Sequence, residues 1–174
     1  MGIDAAIVQA LNGWIGKSAL FDALVVFVTN DLGIILIALA CWYCWTRRRG
    51  DQNAGRNFLF LLSSVIVSRL LFTEIIRFFW YRPRPFLVMP VHLIVSQVAT
   101  ASFPSGHAST YCALAFGMYL LDKKWGTWYI LCATLIALSR VILGVHYMSD
   151  VIAGALVAYA SVMLMRKLFS YRIA

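Results

Sequence analysis

Acidic side chains are scarce in this chain of 174 residues: seven Asp and Glu face fifteen Lys and Arg, for a net charge of +8. Cysteine is also sparse, at four, and the four do not form a disulfide framework. Cys41 and Cys44 have the spacing of a redox pair, but they sit inside an apolar run without a polar neighbourhood. Cys112 and Cys132 lie in similar runs, so buried apolar packing is the reading for all four. Residues 1–17 lack both a basic leader and a long apolar core, which makes them a poor secretory signal. There is no internal repeat, no low-complexity tract and no sign of a second domain.

What is abundant is apolar sequence. Hydrophobic residues make up 62% of the chain, well above a soluble globular protein. A spanning helix needs roughly 20 apolar residues, with about 17 as a practical minimum. Several stretches reach that size, so an all-α, polytopic membrane bundle is expected, a single domain covering residues 1–174.

Ile3, Ala6, Ile7, Ala10, Leu11 and Trp14 recur at helical spacing among polar residues, as in an amphipathic helix lying in the membrane interface. Residues 1–30 are read as that interfacial segment and 31–169 as the transmembrane bundle. About five spans are expected: 31–45, 57–80, 105–121, 126–143 and 149–169. Arg47, Arg48, Arg49, Arg56, Lys123, Lys124, Arg166, Lys167 and Arg172 then fall on one side, which the positive-inside rule makes cytoplasmic, C-terminus included. Orientation accounts for most of the charge excess, and nucleic acid is not needed as a partner.

Three polar clusters share the opposite face. In Phe103-Pro104-Ser105-Gly106-His107-Ala108-Ser109, Pro104 disfavours helix at Phe103, Ser105 is a natural N-cap, and Gly106 admits a ligand close to the main chain. A helix start attracts phosphate, and His107 would stand beside it, able to give or take a proton. In the second cluster, Arg84 lies between two prolines that limit its freedom, which suits capture of phosphate oxygens. Arg77 has Glu74 one helical turn before it to hold its guanidinium. Arg82 reads equally as a headgroup anchor or as a supporting residue. Arg69 and Glu74 are charges within a span, where charge tends to mark function, although a structural Arg69–Glu74–Arg77 network is the other reading. In the third cluster His146 and Asp150 lie four apart, so the carboxylate can fix the imidazole tautomer and free the other nitrogen as nucleophile or base. Arg140 adds a third cation.

In this order, Arg77-x6-Arg84-Pro, Pro104-Ser-Gly-His and Ser139-Arg140-x5-His146-x3-Asp150 closely resemble the tripartite signature of the type 2 phosphatidic acid phosphatase superfamily. One departure is Arg77, where the family usually has Lys. The resemblance implies a metal-independent phosphatase, without cofactor, that works through a phosphohistidine. His146 would attack phosphorus, Asp150 orient it, and His107 protonate the departing oxygen and then activate water. Arg77, Arg84, Arg140, Ser105 and the Gly106 amide would cradle the phosphate oxygens. No carboxylate cluster suited to Mg²⁺ appears on this face. Short bacterial-type chains with Arg-Pro-Arg-Pro-Phe look like undecaprenyl diphosphate phosphatases, which recycle the cell-wall carrier lipid outside the cytoplasmic membrane. A phosphatidylglycerophosphate or phosphatidate phosphatase is the alternative. Non-enzymatic binding of lipid phosphates is the reading from another class.

Overall fold

A computed structural model describes residues 2–47 and 53–170. Arg48, Arg49 and Arg172, which entered the topology expectation, lie outside the described residues. Among the described residues the chain is helical, with no strand.

Helix α1 (Ile3–Asn12) is short and amphipathic. It packs on the ends of two later helices at one end of the bundle. Its C-terminal Asn12 binds the backbone on both sides of it, donating to the carbonyls of His92 and Ile142 and accepting from the His92 N–H. Helix α2 (Ala19–Asn30) begins at Ser18, whose hydroxyl accepts from the Phe21 N–H. It runs into α3 (Leu32–Arg47) with a bend of 42° at Asp31. The span expected over 31–45 is therefore the second arm of a bent pair, and the two arms together are long and apolar enough to cross a membrane.

A long apolar helix covers Ala54–Phe79. It comprises α4 (Ala54–Ile66), a π-helical stretch Val67–Phe72, and α5 (Thr73–Phe79). After Trp80 the backbone is extended through Pro83, as Pro dictates for its neighbours, and α6 (Pro85–Val88) is a single turn. The loop that follows returns to α7 (Gly106–Leu121), which starts where Ser105 accepts a hydrogen bond from the Ala108 N–H. Asp122 ends α7 and caps α8 (Lys123–Ile142) through the Lys124 and Trp125 N–H groups. The last helix, α9 (Met148–Leu168), follows a tight turn.

Among the described residues three helices are long and apolar enough to span (Ala54–Phe79, α8 and α9), and the bent pair makes a fourth if its two arms form one span. At 16 residues α7 is shorter. It is the central helix, packed along α8, α9 and α4, with nine of its 16 residues buried. Its start is pressed against α9. A Cβ at Gly154 would come within 2.7 Å of the Ser105 carbonyl, so only glycine permits this approach. The same contact lets the Ser105 N–H donate to the Asp150 carbonyl at 2.9 Å. At the far end Arg47 pairs with Asp122, so the end of α3 and the α7–α8 turn lie together, away from the polar clusters.

Candidate active site

The turn before α9, the start of α7, the end of α8 and the polar end of α5 converge on one cavity of about 640 Å³. Arg77, Arg84, Gly106, His107, Arg140 and His146 all line it. Residues as far apart as 77 and 146 are thus brought together. Ser105 is not on this wall: it is fully buried, and its hydroxyl serves the N-cap of α7. The sequence placed Ser105 among the phosphate ligands; in the structure its hydroxyl accepts from the Ala108 N–H and keeps its own hydrogen to donate.

His146 is buried at the base of the cavity, 1% exposed. Its Nδ1 stands 3.6 Å from Asp150 Oδ2, longer than a hydrogen bond, and the Ser102 hydroxyl lies beside the pair. The Ser102 hydroxyl donates to Asp150 Oδ2, and its oxygen lies 3.3 Å from His146 Nδ1. An oxygen that has given up its hydrogen accepts from Nδ1–H, which leaves Nε2 unprotonated and free. Burial, together with the Arg84 and Arg140 charges, pushes the imidazole pKa down from 6.5 to about 4, against the opposing pull of Asp150. The ring is therefore neutral at pH 7, as a nucleophile must be.

Asp150 is held on every side. Its Oδ2 also accepts from the Tyr147 N–H at 2.9 Å, the N-cap position of α9, and Oδ1 accepts from Arg82 at 2.7 Å. Arg82 does not reach the cavity wall. Its guanidinium lies over the Tyr147 ring, 3.8 Å from the centroid, and binds Asp4 of α1 at 3.0 Å and the Ser149 hydroxyl at 2.7 Å. Asp4 in turn accepts from the Ser149 N–H and hydroxyl. Burial alone would raise the Asp4 pKa, but these bonds and Arg82 hold it below the usual carboxylate value.

Arg84 and Arg140 are fixed by neutral acceptors that leave their charge uncancelled. Arg84 donates to the carbonyl and hydroxyl of Thr100, at 3.1 and 2.9 Å. Burial, then the nearby Arg77 charge, lowers its pKa. Arg77 donates twice to the Pro104 carbonyl and once to Glu74. Arg140 donates to Gln97 at 2.9 Å, yet its buried Nε has no hydrogen-bond partner. A buried guanidinium N–H of that kind is rare unless a ligand completes it. Three guanidinium groups, the α7 N-terminus and two imidazoles around one hollow form a site for a tetrahedral oxyanion.

The PAP2 superfamily profile matches residues 57–174. The chain belongs to the PAP2 superfamily. Among relatives of this PAP2 chain, undecaprenyl-diphosphatase BcrC of Bacillus subtilis is 29% identical over 87% of the chain and 77% of its own length. The fold of Aquifex aeolicus LpxE superposes with a TM-score of 0.79, covering 96% of both chains at 21% identity. The PAP2-type phosphatidylglycerolphosphate phosphatase of Bacillus subtilis gives 0.68, over 96% of this chain and 84% of its own, at 23% identity.

Ser102, Gln97, Thr100 and Asp4 are parts of this PAP2 site that the sequence did not single out. A Ser, a Gln or a Thr in a polar loop carries no distinguishing spacing. Their roles depend on how that loop folds back over the helix ends. Among the described residues no group of three or more His, Cys, Asp or Glu is placed to hold a metal ion.

Proposed function

We propose that this PAP2 membrane lipid phosphatase converts undecaprenyl diphosphate to undecaprenyl phosphate and inorganic phosphate, with its site on the extracytoplasmic face. The observation that carries the chemistry is the pairing of a neutral, carboxylate-backed His146 with the unpartnered Arg140 Nε in one cavity. The 29% identity to an undecaprenyl-diphosphatase over 87% of the chain supports the substrate.

His146 Nε2 attacks the terminal phosphorus, and the bond from that phosphorus to the bridging oxygen breaks. Burial and the surrounding arginine charges hold the His107 pKa down at about 3 in the protein alone, so His107 takes up a proton only with the bound phosphate anion beside it. The bridging oxygen then leaves with the lipid phosphate, taking that proton. Asp150 and Ser102 stabilise the charge that appears on the His146 ring. Water then attacks the phosphohistidine and gives a proton to His107, releasing inorganic phosphate and restoring both imidazoles. Arg77, Arg84 and Arg140 stabilise the charge on the equatorial oxygens throughout. Phosphoryl transfer needs mainly such positioning and charge stabilisation.

The test is a substrate panel on purified protein, comparing polyprenyl diphosphates with phosphatidylglycerophosphate and phosphatidate and including EDTA. Polyprenyl diphosphate is expected to have the highest kcat/KM, with EDTA without effect and no phosphoenzyme from His146→Ala. A preference for either glycerophospholipid would replace the substrate assignment, and a phosphorylated His146→Ala protein would refute the nucleophile.

A further inference from the structure

Arg69 and Glu74 line the same cavity and take no part in the steps above. Arg69 sits in the π-helical stretch Val67–Phe72, in the middle of a spanning helix. A charge there is costly, and π-helical turns often mark functional sites. Its guanidinium pairs with Glu74, which also pairs with Arg77. It also lies hard against the start of α7: a Cβ on Gly106 would be 2.8 Å from Arg69 Nε. Glycine at 106 thus leaves room for this guanidinium beside His107.

Arg69 also stands at a junction. Thr110, one turn into α7 from Gly106, lines the polar cavity and also a second hollow of about 160 Å³ between α3, α4 and α7. Val65, four residues before Arg69, lines that second hollow, as do Ala40, Leu61 and Leu114. Cys41 and Phe58 line both this hollow and a third of about 420 Å³. A lipid chain in this apolar groove would bring its head group past Arg69 before reaching His146.

We propose that Arg69 binds the chain-proximal phosphate of a lipid diphosphate, so that this residue selects diphosphates over monophosphates. The inference rests on the phosphatase reading above and deepens it. With the terminal phosphate on Arg77, Arg84 and Arg140, the next phosphate toward the groove falls beside Arg69 and His107. Charge agrees with this. Four guanidinium groups and one carboxylate line the cavity, a net charge of +3. A phosphate monoester carries about −1.5 to −2 at neutral pH, and a diphosphate ester roughly one charge more. The phosphate at Arg69 is the leaving group, so the guanidinium also stabilises the charge that collects there as the bridging bond breaks.

The experiment measures kcat/KM of the wild type, Arg69→Gln and Arg69→Lys on a diphosphate and a monophosphate of the same polyprenyl chain. Loss of a charge-assisted contact is expected to cost about 10- to 100-fold on the diphosphate. The ratio of diphosphate to monophosphate activity should fall at least tenfold in Arg69→Gln, and Arg69→Lys should recover part of it. A wild type that prefers the monophosphate overturns the diphosphate reading and this role together. A wild type that prefers the diphosphate, with Arg69→Gln losing both activities in equal proportion, overturns the role of Arg69 alone. Should Arg69→Gln fail to fold, inhibition of the wild type decides: methylenediphosphonate must bind at least tenfold tighter than orthophosphate, and equal inhibition refutes the second phosphate contact.

Discussion

A single imidazole, His146, couples the site to stability as well as to chemistry. Its pKa is about 4 in the folded chain against 6.5 for a free imidazole, so between those values the unfolded chain binds the extra proton. Its neutral form therefore supports the fold fully above pH 6.5, and that support is lost as pH falls toward 4. By pH 5 the loss is about 2 kcal/mol. Thermal unfolding in detergent should show the midpoint dropping between pH 7 and pH 5, and dropping less in His146→Gln. An equal drop in both proteins would place the acid sensitivity elsewhere. The pairing of His146 with Asp150 was readable from the sequence because it is local, four residues along the start of α9. Ser102 was not, because it lies 44 residues before the histidine it touches. Imidazole against carboxylate was the sequence expectation; the structure sets the two 3.6 Å apart with the Ser102 hydroxyl beside both, a second partner for the proton on Nδ1.

Among the elements, α1 has the largest gap between what the sequence showed and what the helix does. Its amphipathic spacing marked it as an interfacial helix, and periodicity can say no more than which face is apolar. The structure adds that its polar face is tied to the site: Asp4 holds Arg82, and Arg82 holds Asp150. The sequence left Arg82 open between headgroup anchor and supporting residue, because both partners, 78 and 68 residues away, are invisible to local spacing. If this strut positions Asp150, Asp4→Asn should cost about 1–2 kcal/mol of stability and lower kcat with little change in KM. Unfolding midpoints and steady-state kinetics on one lipid substrate check this. A variant with native kcat would confine Asp4 to anchoring α1. The start of α7 was legible at Ser105, where a capping side chain announces it. Helix α8 begins at Lys123 rather than at the expected 126, because Asp122, read as a stop, also caps the next helix. The bend at Asp31 was less legible, because capping residues read as a stop when the chain only turns.

For the whole molecule, the two ends of the bundle differ in how their charges are used. At one end Arg77, Arg84 and Arg140 face a cavity, and Arg82 is bound to two carboxylates. At the other, Arg47 and Lys123 flank the α3 end and the α7–α8 turn, with Asp122 between them. The cations of the first end surround the cavity, whereas those of the second end lie where the membrane-insertion preference places cytoplasmic charge. That difference, more than the net charge, argues for an outward-facing site. Single cysteines placed at Lys124 and at His92, in a background with Cys41, Cys44, Cys112 and Cys132 replaced, should react with a membrane-impermeant maleimide from opposite sides. In intact cells His92→Cys is expected to label and Lys124→Cys only after the membrane is opened. Labelling of the Lys124 position alone in intact cells would invert the protein. The site would then face the cytoplasm, where it could not meet a lipid diphosphate exposed on the outer leaflet.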